Sequence, residues 1–136
     1  MKNKGFTLIE LLIVIAIIGI LSSVVLASLN SARGKGANAA VKSGLASLRN
    51  QAEIYYDDNF QSYNGVCTST KFIAMLTNAS TTGGGVYGCA NDINSWAAYA
   101  KLKVAESLKG YWCVNSDGLS KATTSVPGTW ATSSCQ

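Results

Sequence analysis

The chain has 136 residues, 48% hydrophobic side chains, no histidine and a formal net charge of +4. This length leaves room for an apolar N-terminal segment and one small domain of about 100 residues. Histidine, the commonest general base, is missing, and the chain has no P-loop, GxSxG, HExxH or dinucleotide-binding pattern. We therefore predict that the protein is not an enzyme and has neither a catalytic site nor a cofactor.

Residues 6–29 form an apolar run that, as a helix, would be roughly 36 Å long and could cross a hydrocarbon layer of about 30 Å. Its polar side chains are Thr7, Glu10, Ser22, Ser23 and Ser28. Glu10 is unusual there, because a carboxylate in hydrocarbon costs a few kcal/mol. We predict a membrane-spanning helix over residues 6–31, in which Glu10 needs a partner on another copy of the chain. The alternative is that Glu10 becomes protonated or reaches the membrane surface without a partner.

The N-terminal residues also carry a family resemblance. Lys-Gly-Phe-Thr-Leu-Ile-Glu at positions 4–10, after a short basic leader, resembles the class III signal of type IV pilins and type II secretion pseudopilins, and the resemblance covers residues 2–26. In that family, prepilin peptidase cuts after the glycine and the new N-terminal residue is methylated. By position, the resemblance implies cleavage between Gly5 and Phe6, N-methylation of Phe6, and subunit assembly through Phe6 and Glu10.

A secretory signal peptide is the competing interpretation, since a basic start and an apolar core fit both. The small residues at positions 25–27 could serve as its cleavage site. Glu10 within the apolar run, and the length of that run, favour the short leader of residues 1–5 instead. The two lysines of the leader favour its retention in the cytoplasm.

The resemblance also implies partners and a location. Its partners would be other copies in a helical filament, prepilin peptidase, the pilus assembly platform with its motor ATPases, and the inner membrane. The precursor would be a single-pass protein of the inner or cytoplasmic membrane, and the assembled protein would be an extracellular pilus at the cell surface. Without Lys2 and Lys4 the chain has nine basic and seven acidic residues. The resulting charge of +2 is too small to indicate DNA binding, although it does not exclude it.

A second helical pattern follows the span. Apolar side chains recur with the spacing of one helix face, at Val41, Leu45, Leu48, Ala52 and Tyr55. We predict a helix over residues 37–57 that lays this face on a globular domain of residues 32–136. The glycines at positions 34 and 36 would either distort a continuous helix or separate this helix from the span.

The composition and spacing of the residues after position 57 predict a loop and a sheet. Residues 58–94 are rich in Ser, Thr, Asn and Gly, which indicates a long surface loop with one helical turn at residues 71–76. Residues 95–124 predict an antiparallel sheet, with a half-buried first strand from Trp96 and a later hairpin turn at residues 115–118. A C-terminal segment, residues 125–136, completes the domain. The predicted fold class is α+β, a long N-terminal helix packed on a small sheet.

Four cysteines lie beyond the span, and an even number in a small domain outside the membrane predicts two disulfides. They are Cys67, Cys89, Cys113 and Cys135. Three pairings are open, and we favour Cys67–Cys89 with Cys113–Cys135 because the two loops are similar and local. The lack of a CxxC pair and of histidine disfavours zinc. Asp117 is the only acid after Glu106, which disfavours a calcium loop, so no metal site is predicted.

Three functions are consistent with these features. The first is a structural subunit of a type IV pilus, processed by prepilin peptidase and polymerised through its N-terminal helix. The second is a pseudopilin or minor pilin of a type II secretion or DNA-uptake machine. The third is a membrane-anchored binding domain that does not polymerise. Because the chain has no nucleotide-binding pattern, the first two require ATP hydrolysis by partner motors.

Overall fold

The computed structural model describes residues 5–124 and Cys135. The chain divides into two units, residues 1–33 and residues 34–136, called here the N-terminal unit and the globular unit. The predicted leader and C-terminal segment therefore lie almost entirely outside the described residues, apart from Gly5 and Cys135.

The described residues form three helices and four strands. The helices are α1 (Leu8–Asp58), a short 3-10 helix (Val66–Thr68) and α2 (Thr70–Thr81), and the strands are β1 (Tyr87–Asn91), β2 (Trp96–Glu106), β3 (Lys109–Asn115) and β4 (Ser120–Thr123). Each strand pairs antiparallel with the next, in the order β1-β2-β3-β4. The predicted α+β class, with a long N-terminal helix and a small antiparallel sheet, is confirmed.

Helix α1 is a single element of 51 residues. The predicted helices over residues 6–31 and 37–57 are therefore continuous, and the first begins later than predicted. Gly34 does not interrupt α1, and its missing side chain has a packing role, because a Cβ atom there would collide with the side chain of Val104 on β2. The glycine thus permits close approach of helix and strand within the globular unit.

The predicted apolar face of α1 is confirmed by burial, since Val41, Leu45, Leu48 and Ala52 are all fully buried. They form one core with apolar side chains of α2 and the sheet, including Phe72, Leu76, Trp96, Ala98, Ala100, Leu102 and Val114. The Phe72 and Trp96 rings meet edge to face, with centroids 5.4 Å apart. Burial of this face, rather than local propensity, is what stabilises the second half of α1.

The prediction of a surface loop over residues 58–94 is wrong. The segment contains the 3-10 helix, α2 and β1, and the single turn predicted at residues 71–76 is part of the twelve-residue helix α2. Its Ser, Thr and Asn residues favour loops, but burial of Phe72 and Leu76 against the core overrides that preference. Strand β1 pairs with β2 along its whole length, from Tyr87 opposite Ala100 to Asn91 opposite Trp96.

Strand β2 is also more buried than predicted. Trp96, Ala98, Ala100 and Leu102 face the main core as expected, but Ala97 and Tyr99 on the other face are buried too. That face is covered by a second cluster of Tyr99, Cys113, Cys135 and Tyr111. The first half of β2 is therefore buried on both sides, and only its second half has the predicted exposed face.

Both disulfides of the favoured pairing are present. Cys67 and Cys89 join the 3-10 helix to β1, with their Cα atoms 5.7 Å apart. Cys113 of β3 is bonded to Cys135, with a Cα separation of 5.6 Å. Each bond closes a loop of similar length, and each contributes about 3 kcal/mol in a chain-entropy description.

Polar side chains of α1 hold the helix on the sheet at two levels. Asn38 donates to Val104 O at 2.7 Å and accepts from Val104 N at 3.1 Å, where the pairing of β2 with β3 is irregular. Lys42 forms an ion pair with Glu106 at 2.7 Å and lies over the Trp112 ring. Further along α1, the Arg49 guanidinium donates to backbone and side-chain oxygens of residues 115, 119 and 120.

Candidate functional site

The candidate site is the start of α1, where Thr7 and Glu10 bond to each other. Thr7 directly precedes the helix and so occupies its N-cap position. The Thr7 backbone N–H and hydroxyl both donate to Glu10 Oε2, at 2.9 and 2.7 Å, and Glu10 N–H donates to Thr7 Oγ1 at 3.3 Å. This reciprocal arrangement is a capping box.

The capping box has an energetic role that does not depend on a partner. A helix start leaves four backbone N–H groups without intrahelical acceptors, and in an apolar setting such groups are costly. Thr7 Oγ1 accepts from one of them, and Glu10 accepts from the Thr7 N–H just before the helix. The negative charge of Glu10 also lies in the first helical turn, where the helix dipole favours it.

The prediction that Glu10 needs a partner on another copy of the chain stays a prediction. Glu10 has a partner within its own chain, because Thr7 supplies two hydrogen bonds to Oε2. Both donors are neutral, however, so the charge of the carboxylate is not cancelled. The hydrogen bonds from Thr7 both go to Oε2, and Glu10 Oε1 receives no hydrogen bond from a residue that the structure describes.

Gly5 and Phe6 lie just before the helix and outside its hydrogen bonding. Phe6 is 80% exposed, and space around Gly5 is open. The bond between them is therefore exposed and non-helical, which is the form that a peptidase can bind. The structure places Thr7, and not Phe6, against Glu10.

The surface of α1 beyond this cap is apolar and exposed. Its large apolar side chains from Leu8 to Leu29 are between 46% and 77% exposed. Within the described part of the chain, α1 is the one helix long and apolar enough to cross a membrane, judged by length and composition, and its most apolar window has a mean hydropathy of 2.8. The hydroxyl of Ser23 donates to Ile20 O at 2.7 Å, so this polar group is satisfied within the helix. Such a surface can contact lipid or other helices.

Sequence reasoning gave Thr7 no role and so missed the capping box. The signal was present, since Thr-x-x-Glu immediately before an apolar run is the pattern of a helix start. The contact between Asn38 and Glu106 was missed as well, and no local sequence pattern predicts it. They are 68 residues apart and meet only because α1 packs on β2.

Comparisons with known proteins agree with the N-terminal resemblance. The family described as "Prokaryotic N-terminal methylation motif" matches residues 1–26. The chain is 38% identical over 58 residues to the "Type II secretion system core protein G" of Escherichia coli (strain K12), covering 43% of this chain and 40% of that protein. It is 48% identical over 60 residues to the "Type IV wide pilus major component PilA4" of Thermus thermophilus, covering 43% of this chain and 46% of that protein.

The matched part spans less than half the length of each of these relatives. No solved structure matches the chain significantly. The predicted resemblance is therefore confirmed for the N-terminal motif and for similarity to pilin-like proteins.

Proposed function

We propose that this pilin-like chain is a structural subunit of a type IV pilus. In this proposal, prepilin peptidase cuts between Gly5 and Phe6, Phe6 is N-methylated, and the processed chain polymerises through the apolar half of α1. The precursor waits in the inner or cytoplasmic membrane, and the assembled fibre extends from the cell surface. An assembly platform and its motor ATPases drive the process, because the chain has no nucleotide-binding pattern of its own.

The observation that carries this proposal is the match of the methylation motif to residues 1–26, on a segment with the physical properties that processing and assembly need. The Gly5–Phe6 junction is exposed and precedes the helix. The apolar half of α1 is exposed along its length, so it can leave lipid for a bundle of identical helices without losing its apolar surroundings. The apolar half of α1 would then bury a similar apolar area in lipid and in the filament, so hydrophobic burial would favour neither assembly nor disassembly strongly.

Glu10 sets the register of the filament in this proposal. Cleavage creates a positive amine on Phe6, and Glu10 Oε1 is available to it on a neighbouring copy while Oε2 stays bonded to Thr7. A buried charge that loses its partner costs about 3–5 kcal/mol, whereas a paired one is tolerated. Copies would therefore stack so that each Glu10 meets an amine.

N-terminal mass spectrometry of the protein from sheared surface fibres tests the processing step. The proposal predicts a chain that begins at Phe6 and carries one added methyl group. A chain that retains residues 1–5 in those fibres, or that begins after residue 27, would refute the proposal. The second result would instead indicate a secretory signal peptide.

Two variants separate the charge of Glu10 from its capping role. Glu10→Gln keeps an acceptor for Thr7, since Gln also serves in capping boxes, but it removes the charge. Thr7→Ala keeps the charge and removes the capping hydroxyl. We expect fibre yield to fall at least tenfold in Glu10→Gln and less in Thr7→Ala. Normal yield from Glu10→Gln would remove the register role of Glu10.

The second candidate function is a pseudopilin of a secretion machine. It is favoured by the similarity to the type II secretion core protein, which covers the same share of this chain as the similarity to the pilus component. Long fibres of this chain at normal expression would support the pilus. Secretion failure after deletion, without surface fibres, would support the pseudopilin. A chain that remains monomeric in the membrane in both assays would indicate an anchored binding domain.

A further inference from the structure

Two exposed apolar side chains are held on strained backbone in the globular unit. Phe60 has φ of 54° and is fully exposed, and Leu108 has φ of 66° and is 93% exposed. With their neighbours Gln61 and Ser107, they are the non-glycine residues of positive φ in the described part of the chain. Left-handed backbone is unfavourable for residues with a Cβ atom, and Gly or Asn is the usual choice there. Neither side chain is buried, so core packing does not explain an apolar residue at either position.

These two side chains lie at opposite ends of the globular unit. Leu108 is in the tight turn between β2 and β3, next to Glu106, which Lys42 of α1 binds. Phe60 follows the last residue of α1, Asp58. The stretch of helix from Lys42 to Asp58 is roughly 24 Å long. We call the two surfaces the Leu108 end and the Phe60 end.

The Phe60 end has further apolar surface. Tyr63 N–H donates to Ile93 O at 3.0 Å, which places the loop before β2 beside the segment that follows α1. The Ile93 side chain is 60% exposed. Phe60 and Ile93 therefore offer two apolar side chains at the same end of the unit.

The two ends carry opposite charge. Exposed Lys103 and Lys109 flank the turn at the Leu108 end, where the acid Glu106 is already paired with Lys42. At the Phe60 end, Asp57 and Asp58 are exposed in the last turn of α1. Further acids lie at the same end, Asp92 in the loop before β2 and Asp117 in the turn between β3 and β4. The Arg49 guanidinium bonds to both sides of that turn, so the acids there outnumber this cation. The exposed lysines and the two helix acids form no ion pair with another described residue.

We propose that the Leu108 end of one copy docks on the Phe60 end of a second copy. Leu108 would contact Phe60 and Ile93, and Lys103 and Lys109 would face Asp57 and Asp58. Charge complementarity selects this occupant, because contact between two like ends would oppose acids to acids or lysines to lysines. The inference rests on the proposed function, since only a polymer presents many copies in one orientation.

Such a contact can propagate. The two surfaces differ, so a copy that has used its Leu108 end still has a free Phe60 end. Heterologous contacts of this kind extend into open fibres when the rotation between copies does not close a ring. The contact would therefore add to the polymerisation through α1, and it would be made by the globular units alone.

Photo-cross-linking of the full chain in cells that assemble it tests the contact. A photoreactive phenylalanine analogue replaces Leu108 in one variant and Phe60 in a second, and it replaces Ile73 of α2, which is not a proposed contact residue, as the control. We expect the Leu108 probe to cross-link to peptides containing residues 57–60 or 93 of another copy, and the Phe60 probe to peptides containing residues 103–109. Yields at least tenfold above the Ile73 probe support the proposal.

A fourth probe at Ile13 distinguishes the two proposals. Cross-linked multimers from Ile13 without the two end contacts would overturn the end-to-end docking and leave the proposed polymer intact. No multimers from any probe would overturn both.

A charge exchange provides an independent test. Lys103→Glu with Lys109→Glu should reduce fibre yield severalfold, and Asp57→Lys with Asp58→Lys should do the same. The four substitutions together keep the net charge of the chain, reverse both ends and should restore the yield. Lys71→Glu with Lys121→Glu, the same charge change away from the Leu108 end, is the control and should leave the yield unchanged. Failure of the fourfold variant to recover, with normal chain abundance, would refute the docking.

Discussion

At the scale of single residues, Thr7 and Glu10 form a reciprocal hydrogen-bonded pair at the start of α1. One oxygen completes the start of α1 through two hydrogen bonds from Thr7, and the other oxygen receives none from a residue that the structure describes. In an apolar environment, the first N–H groups of a helix are costly to leave unpaired. The cap therefore fixes the position of Glu10 within its own chain, and the proposed function gives its charge a separate role in assembly.

Replacing Thr7 tests the cap directly. In Thr7→Ala the amide of Glu10 loses its acceptor, so the N-terminal turn should be destabilised by about 1 kcal/mol. We expect hydrogen exchange at the Glu10 amide to become about fivefold faster in the full chain in detergent micelles. Thr7→Ser keeps the hydroxyl and should exchange like the parent chain. Equal exchange in Thr7→Ala and the parent would show that the capping box contributes nothing.

The lowered pKa of Glu106 predicts that the globular unit loses stability in acid. The hydrogen bond from Lys42, and then that from Asn38, hold the pKa of Glu106 below its usual value near 4.5. A carboxylate with a lowered folded-state pKa adds stability above its unfolded pKa, and this is lost as the pH falls through the folded value. Because the side chains of the pair are 31% and 38% exposed, we expect the contribution to be about 1 kcal/mol at most.

Urea unfolding of the full chain in micelles at about pH 7 and about pH 3 measures this contribution. Glu106→Gln should unfold more easily than the parent at neutral pH and should lose less stability on acidification. Asp58→Asn, which removes an exposed acid with no ion pair to a described residue, is the control and should keep the parental pH dependence. An unchanged acid dependence in Glu106→Gln would contradict the role given to the ion pair.

At the scale of elements, α1 is one helix stabilised in two different ways. Its second half is stabilised by burial of an apolar face and by polar bonds from Asn38, Lys42 and Arg49 to the sheet. Its first half has no buried side chain among the described residues before Gly34, so packing within the described chain does not stabilise it. In the proposed function, lipid or other copies would supply that packing.

Two glycines of α1 provide a matched pair of variants. An alanine at Gly34 would collide with Val104, whereas an alanine at Gly36 would meet nothing within 4 Å. We expect Gly34→Ala to destabilise the globular unit by about 1–3 kcal/mol through overpacking. Gly36→Ala should instead stabilise the helix by up to about 1 kcal/mol. Denaturant midpoints of the two variants test this opposition, and equal effects of the same sign would contradict the close approach of α1 and β2.

The sequence predicted those helices and strands whose apolar residues repeat with a regular spacing. The stripe from Val41 to Ala52 was readable because a helix face repeats every three to four residues. Helix α2 and strand β1 were not readable, because their Ser, Thr, Gly and Asn residues favour loops in isolation. Their order comes from burial of Phe72, from pairing with β2 and from the Cys67–Cys89 bond, all of which are distant contacts.

At the scale of the whole molecule, the candidate site was predictable in its residues but not in its geometry. Gly5, Phe6 and Glu10 follow from the motif, and the motif match supports their place in it. The hydrogen bonds from Thr7 to Oε2 of Glu10 could be seen only in the structure. The grouping of charged side chains at the Leu108 end and the Phe60 end could not be read from the sequence either. These residues come from separate segments of the chain that the fold brings together.

The central claim is that Glu10 joins identical copies through an amine created by cleavage. A cryo-electron microscopy map of fibres sheared from the cell surface tests it most directly. The account predicts the Phe6 amine of one copy within about 3 Å of Glu10 Oε1 of a neighbour, with Thr7 still bonded to Oε2. A map in which Glu10 contacts only Thr7 of its own chain, or only lipid, would contradict it.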